Sequence, residues 1–185
     1  AIPNMTIINP VDAVETEAAI LAIAEYDGPC YVRLGRLAVE TINDENNYKF
    51  EIGKGVTLSE GNDVTIVATG MMVQLALKAK EELSKEGINA KIINIHTIKP
   101  IDCELLVKAA KETGAIVTAE EHSIVGGLGS AVSEVVTEEF PVPVVKVGIK
   151  DTFGESGKPD QLLEKYGLTV ESIVNSAKRA ISLKK

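Results

Sequence analysis

The feature that most constrains this chain is a set of apolar runs, rich in β-branched residues, at residues 64–69, 90–95, 115–119 and 144–149. Continuous runs without polar alternation are typical of parallel strands that are buried on both faces. The segments between the runs carry apolar residues at helical spacing, and the first two end at Gly87 and Gly114. Strands that alternate with helices predict an α/β fold: a three-layer αβα sandwich around a mainly parallel sheet, with right-handed crossovers.

Residues 1–36 are organised differently from the rest of the chain. A short extended run at 6–9 is followed by a helix and by a second strand at 30–34. Asp12, with Glu15 three residues later, has the spacing of a capping box at the start of that helix. One strand–helix–strand unit cannot bury both faces of its own sheet, so we interpret residues 1–36 as a partial α/β segment, the tail of another domain whose beginning lies upstream.

The sequence changes in character after residue 36. Residues 41–49 are polar and rich in turn formers, which predicts a linker, and residues 50–58 have the pattern of an edge strand. We therefore divide the chain into a domain tail at 1–36, a linker and edge strand at 37–55, and a complete α/β domain at 56–185.

Charge and composition exclude several classes of function. The net charge of −8 argues against nucleic acid and against an anionic membrane surface as partners, because both attract a surplus of Lys and Arg. No apolar stretch reaches the length of a membrane-spanning helix. Cys30 and Cys103 offer neither a disulfide framework nor metal-ligand spacing, so we expect a reducing, cytoplasmic setting and no metal site.

A glycine-rich turn with Gly126, Gly127 and Gly129 follows one predicted strand and opens a helix. Free amides at a helix N-terminus can bind an anion. However, Val132 stands where a dinucleotide fingerprint has Gly or Ala, and this turn is not the first strand-to-helix connection of its domain. We favour the alternative that these glycines allow close backbone packing or a subunit contact.

His122 follows Glu120 and Glu121 at the carboxyl end of a predicted strand, where open α/β sheets bind ligands. Adjacent carboxylates favour the protonated imidazole and could suit His122 to acid–base work. No nucleophile stands beside it, so we favour a hydrogen-bonded loop at an interface. Residues 154–157 resemble a nucleophile elbow, but Lys158 replaces its last glycine, which argues against a serine hydrolase.

Arg33 and Arg36 are the only arginines in the first half of the chain, and they stand at the end of a predicted strand. A planar, permanently charged guanidinium suits a phosphate or a carboxylate. From this chemistry alone, an anion site and an ion pair across an interface stay equally open.

The chain also carries a series of short motifs in a fixed order. An earlier set lies at residues 2–6, 12–16, 26–29 and 32–36, and a later set at 61–70, 99–102, 118–122, 126–131 and 151–160. The earlier set resembles the end of the pyrimidine-binding domain of transketolase-like enzymes, and the later set resembles their C-terminal domain. No single motif is decisive, but their joint order over nearly the whole chain is specific.

This resemblance implies ketol-group transfer between phosphorylated sugars, a transferase reaction of carbohydrate metabolism. It implies thiamine diphosphate as cofactor, held through a divalent metal, usually Mg²⁺, between domains of two subunits. The glutamate that activates the cofactor, the residues that handle the sugar and the diphosphate-binding Gly-Asp-Gly segment do not occur in this chain. We therefore expect no catalytic residue and no bound cofactor in this chain alone, which should be inactive without its missing N-terminal part or subunit.

The resemblance also implies roles for individual residues and for the assembly. Arg36, the last residue of a Leu-Gly-Arg ending, matches the family's arginine that binds the substrate phosphate, whereas Arg33 matches no such position and is assigned a structural role. A homodimer is expected because the family's sites form between subunits. Alternatives are the β subunit of a 2-oxoacid dehydrogenase, a deoxyxylulose-phosphate synthase, or a non-catalytic regulatory module that binds a ligand at residues 126–130.

Overall fold

The structure, a computed structural model, describes residues 2–184. Its strands are β1 (Thr6–Ile8), β2 (Cys30–Val32), β3 (Val56–Ser59), β4 (Val64–Ala68), β5 (Ala90–Asn94), β6 (Thr97–Lys99), β7 (Ile116–Ser123) and β8 (Val144–Ile149). Its helices are α1 (Ala13–Ala24), α2 (Met72–Lys85), α3 (Cys103–Thr113), α4 (Leu128–Glu139), α5 (Pro159–Lys165) and α6 (Val170–Ser182). Within this range, no helix has both the length and the apolar character needed to cross a membrane.

The main body is a five-stranded sheet in the order β3-β5-β4-β7-β8. Strand β4 pairs in parallel with β5 and β7, and β7 pairs in parallel with β8, whereas β3 runs antiparallel at one edge. Helices α2 and α6 cover one face of the sheet, and α3 and α4 cover the other. The predicted three-layer αβα sandwich with a mainly parallel sheet is confirmed.

The apolar runs form this sandwich because their side chains serve both faces of the sheet. Every residue of β4 is buried. Its Ile66 packs with α2 and α6, and its neighbour Val67 packs with α3 and α4. Local chemistry sets the helix ends: Asp102 caps α3 by accepting from the Leu105 amide at 3.0 Å, and Gly114, with φ of +65°, closes it.

A second, three-stranded sheet has the order β2-β1-β6. Strand β1 pairs in parallel with β2 and, on its other side, antiparallel with β6. The sequence predicts no strand at Thr97–Lys99, because three residues with Ile98 as the one apolar side chain show no periodicity. Strand β6 follows β5 after Ile95 and His96, which belong to neither strand. It ties residues 2–36, called the first segment below, to the sandwich by backbone pairing.

The predicted edge strand at 50–58 is wrong in its extent. Strand β3 covers only Val56–Ser59, and residues 50–55 are irregular. Gly53 has φ of +86°, which turns the backbone before the strand begins. The ring of Phe50 does not enter the sheet but stacks on His96, with ring centroids 4.3 Å apart.

Candidate functional site

A cavity of about 750 Å³ lies at the carboxyl edge of the five-stranded sheet. Met71, Glu121 and Ile149 line it from the ends of β4, β7 and β8. The other walls come from the first segment, with residues 34–37 among them, and from α5 and its flanks. Open α/β sheets bind ligands at this edge, so the cavity is the candidate site.

Arg36 lies on the wall of this cavity and is exposed to solvent. Within residues 2–184 its guanidinium forms no hydrogen bond and no ion pair. Leu34 and Leu37, its apolar neighbours, line the same wall. A guanidinium that is not used by the protein, on the wall of a cavity, is suited to binding an anionic group of a ligand.

Arg33 has a different environment, although it stands only three residues before Arg36. Its backbone amide donates to the Ile8 carbonyl at 2.8 Å and so continues the pairing of β1 with β2. Its Nη2 donates to the Glu121 carbonyl at 2.5 Å and lies 3.7 Å from Glu121 Oε2. Arg33 therefore fastens the start of the loop that follows β2 and carries Arg36, called the Arg36 loop below, to the end of β7.

Asp12 caps α1, as its position in the sequence indicated, and it also holds the linker. Its Oδ1 accepts from the Glu15 amide at 2.9 Å. Its Oδ2 accepts from the amides of Ile42 and Asn43 at 2.8 and 2.9 Å, and from the Asn43 side chain at 3.1 Å. Burial by itself raises the pKa of Asp12, but these hydrogen bonds outweigh it and hold the pKa below its usual value.

Glu15 is fully buried where the first segment, the linker and the sandwich meet. Its carboxylate accepts from the Val11 amide at 2.7 Å, from Asn94 Nδ2 of β5 at 2.8 Å and from the Tyr48 hydroxyl of the linker. Desolvation raises its pKa, and the hydrogen bonds offset this rise only in part. Sequence reasoning treated Glu15 as a capping residue and missed this junction, because α1 also carries Glu17 and nothing in the sequence marks which of the two carboxylates is buried.

The glycine-rich turn is filled by a carboxylate of the chain itself. Glu120 accepts from the amides of Leu128 and Gly129, at 2.7 and 2.8 Å, at the N-terminus of α4. A Cβ atom on Gly127 would lie 2.0 Å from Glu120 Oε2, and one on Gly129 would lie 2.8 Å from both Lys146 and Thr118 side-chain atoms. These helix amides therefore already have an internal anion.

Gly126 stands apart from the other two glycines of this turn. It is exposed, has φ of +76°, and a Cβ atom there would meet no neighbour. Its conformation, rather than close packing, explains a glycine at this position.

The two histidines lie apart and outside the cavity lining. His122 is exposed on β7. His96 is buried under Phe50, and its Nδ1 lies 2.9 Å from the Thr97 hydroxyl. Burial lowers the pKa of His96 to about 4, against a smaller opposing effect of Asp102, so this imidazole is neutral at physiological pH.

The cofactor group implied by the resemblance, a diphosphate with its metal ion, needs two kinds of ligand. Mg²⁺ takes oxygen ligands, and a diphosphate is usually held by free backbone amides at a helix N-terminus. Among residues 2–184, no three His, Cys, Asp or Glu side chains cluster so that they could hold a metal ion. The amides of α4 are occupied by Glu120. The described residues therefore offer no carboxylate cluster for the metal, and the amides of α4 are not free for a diphosphate.

The sequence is similar to several proteins of known description. A sequence model described as the transketolase C-terminal domain matches residues 53–173. A 6-deoxy-6-sulfo-D-fructose transketolase subunit of Clostridium sp. (strain MSTE9) is 50% identical over 176 residues, which cover 95% of this chain and 54% of that protein. A 1-deoxy-D-xylulose-5-phosphate synthase of Heliobacterium modesticaldum (strain ATCC 51547 / Ice1) is 40% identical over 179 residues, which cover 96% of this chain and 28% of that protein.

A solved structure has nearly the same fold. It is described as a split-gene transketolase in an inactive β4 tetramer, and it is 52% identical in sequence with a TM-score of 0.97. The match covers 100% of this chain and 60% of that chain. The chain thus spans little more than half of the solved chain and of the Clostridium relative.

Proposed function

We propose that this chain, which belongs to the transketolase C-terminal domain family, forms the substrate-anion end of a transketolase-type enzyme that transfers a ketol group between sugar phosphates. The observation that carries the proposal is Arg36. Its guanidinium is exposed, has no protein partner among the described residues, and lies on the wall of a cavity at the carboxyl edge of the sheet. In this proposal the chain holds the substrate by its charged end, and a partner supplies the reacting groups.

The chemistry of a terminal phosphate suits Arg36. A guanidinium can donate two parallel N–H bonds to two phosphate oxygens, which fixes the orientation of the group as well as its position. The hydrogen bonds of Arg33 to Glu121 hold the base of the same loop. Fixing the far end of a substrate limits the positions of its carbonyl carbon, and such positioning lowers the entropic part of the barrier.

The partner in this proposal is the missing N-terminal part, whether on the same chain or on a separate subunit. It would hold thiamine diphosphate and Mg²⁺, and the chain of 185 residues would be inactive without it. Support comes from relatives that are described as a transketolase subunit and as a split-gene transketolase. A homodimer and a cytoplasmic setting with reduced Cys30 and Cys103 stay predictions.

A second candidate is a deoxyxylulose-phosphate synthase, favoured by the relative of that description at 40% identity. Arg36 would keep its role there, because that product also carries a phosphate. Formation of 1-deoxy-D-xylulose 5-phosphate by the assembled enzyme would identify this candidate. A 2-oxoacid dehydrogenase β subunit stays an alternative without a matching relative among those described above. The occupation of the α4 amides by Glu120 argues against the ligand-binding module at residues 126–130.

The test is the substitution Arg36→Ala in the assembly of this chain with its N-terminal partner. Loss of a charged hydrogen-bonding group that positions the substrate should lower kcat/KM for a sugar phosphate by roughly 10- to 100-fold, with a raised KM. A substrate analogue without the phosphate should be used equally well by both enzymes. Arg179→Ala, an exposed arginine in the last turn of α6, is the matched control. An unchanged KM, or equal losses in both variants, would rule out the role of Arg36.

A further inference from the structure

Strand β7 runs on beyond its neighbour β4 and ends in an irregular stretch that carries Glu121. The last residue of β7 that pairs with β4 is Ala119. On its other side β7 pairs regularly with β8 only up to Ala119, and residues 120–122 stand opposite the single residue Gly148. A bulge of this kind disrupts the ladder locally and leaves peptide groups free for other partners. The Glu121 carbonyl has such a partner outside the sheet, because it accepts from Nη2 of Arg33.

The bulge at residues 120–122 is itself held in place. The Glu120 carboxylate accepts from two backbone amides at the N-terminus of α4, at 2.7 and 2.8 Å. A Cβ atom on Gly148 would lie 2.9 Å from the His122 carbonyl oxygen, so β8 approaches the bulge as closely as a glycine allows. An acceptor that is already fixed loses little entropy when a donor binds to it. The Glu121 carbonyl is therefore a rigid acceptor at the carboxyl edge of the sandwich.

Few other hydrogen bonds hold the Arg36 loop. Residues 34–39 form none with any part of residues 2–184. The next fixed point along the chain is the Glu40 carbonyl, which accepts from Gln74 Nε2 at 2.6 Å. A Cβ atom on Gly35 would meet no neighbour, so this glycine adds backbone freedom to the loop and serves no close approach. The position of the loop therefore depends strongly on its first residue, Arg33.

Arg33 binds the end of β7 through one nitrogen. Its Nη2 lies 2.5 Å from the Glu121 carbonyl oxygen but 3.7 Å from Glu121 Oε2. The side chains of Arg33 and Glu121 are 27% and 37% exposed, so solvent screens their ion pair, which contributes little. The hydrogen bond to the carbonyl is the contact that fixes the loop.

We propose that Arg33 is a positioning residue of the substrate site: through the Glu121 carbonyl, the sandwich holds the Arg36 loop so that the Arg36 guanidinium stays on the cavity wall. Arg33 itself is not part of the cavity lining. This inference rests on the proposed function of Arg36 and adds to it a role for the sandwich in substrate binding. When a loop is in place for only part of the time, the apparent affinity for its ligand falls by that fraction.

The test is the substitution Arg33→Met in the assembly of this chain with its N-terminal partner. Loss of the donor should lower kcat/KM for a sugar phosphate roughly 3- to 10-fold, with a raised KM. A substrate analogue without the phosphate should be used as well as by the wild type. Arg33→Lys should lose clearly less, because an ammonium group replaces a contact made by one nitrogen. Equal losses with and without the phosphate would show general structural damage and overturn the proposal.

A double-mutant cycle with Arg36→Ala shows whether Arg33 acts through Arg36. In the Arg36→Ala background, Arg33→Met should have almost no further effect on kcat/KM, because the group that it positions is gone. An undiminished loss in that background would contradict the proposal. No effect of Arg36→Ala alone would count against the proposed function. A loss in Arg36→Ala without a loss in Arg33→Met would count against the positioning role alone.

Nitrogen-15 relaxation of the chain of 185 residues measures the loop without catalysis. The backbone order parameters of residues 34–37 should fall in Arg33→Met and stay unchanged in Arg179→Ala, the exposed arginine of α6. Order parameters in Arg33→Met equal to those of the wild type would show that other contacts hold the loop, and the proposal would fail.

Discussion

The sandwich and the first segment of this molecule are held together in different ways. In the sandwich, every residue of β4 is buried, and α2 contributes apolar side chains such as Val73 and Leu83 to the core. In the first segment, no residue of β2 is fully buried, and α1 buries only Glu15 and Ala19. Apolar burial stabilises the sandwich. The attachment of the first segment combines one apolar contact, Val11 in the sandwich core, with hydrogen-bonded charges.

The two kinds of stabilisation give the two regions different properties. A core that is covered on both faces is stable through non-directional burial of apolar area. The first segment instead depends on Asp12, Glu15 and Arg33, each of which accepts or donates hydrogen bonds across segment boundaries. Directional contacts fix the position of the Arg36 loop over the cavity, and they make this region sensitive to pH.

The largest effect is expected from the sandwich core. Ile66→Ala should lower the free energy of unfolding by about 2–5 kcal/mol, because it removes a fully buried side chain between α2 and α6. Leu21→Ala in α1, where the side chain is 64% exposed, should change it by less than about 0.5 kcal/mol. Urea unfolding measures both. Similar losses would show that the apolar face of α1 is covered in solution, and the contrast between the regions would fail.

An intermediate effect is expected at the junction. Asp12→Ala removes the cap of α1 and three hydrogen bonds to the linker, and it should cost about 1–3 kcal/mol at neutral pH. The pKa of Asp12 is lowered, so its contribution is present above the usual value near 3.8 and is lost as the pH falls through the lower folded value. The cost of the substitution should shrink accordingly in acid.

Limited proteolysis within residues 41–49 measures the release of the linker in the same variant. Cleavage should be faster in Asp12→Ala than in Asp27→Ala, whose exposed side chain lies beyond the end of α1. Equal rates would mean that contacts other than those of Asp12 hold the linker.

Much of the fold could be predicted because the sandwich follows from periodicity. The buried strands read as continuous apolar runs, and the caps Asp12 and Gly114 follow local chemistry. Strand β6 could not be predicted, because its pairing with β1 depends on tertiary structure and not on its own three residues. The extent of β3 was misjudged because Gly53 and Phe50 interrupt a run that reads as extended.

The sequence singles out Arg33 and Arg36 by their charge, but it does not show what each of them contacts. Only the structure separates the one that bonds Glu121 from the one that lines the cavity. The cavity itself joins the first segment to residues beyond 150, and no local pattern links parts so distant in sequence. The closure of the glycine-rich turn by Glu120 was likewise hidden, because a carboxylate eight residues before the helix carries no capping signature.

The smallest effect, and the sharpest test of the charged junction, is the pH dependence due to Glu15. Burial raises its pKa above the usual value of 4.5, so over the interval between the two values the folded chain retains a proton that the unfolded chain has lost. Stability should therefore fall as the pH rises through this interval, by at most about 1.4 kcal/mol per pH unit, and should level off above it. Glu15→Gln should lack this slope, and urea unfolding from about pH 4 to pH 7 measures the difference.

The pKa of Glu120 is shifted in the same direction, but the contribution of Glu120 to the slope cancels when the stability of the variant is subtracted from that of the wild type. Glu25→Gln, at the exposed end of α1, should retain the wild-type slope. If Glu15→Gln retains it too, the buried carboxylate of Glu15 does not titrate with folding, and the fall in stability comes from another group with a raised pKa, such as Glu120.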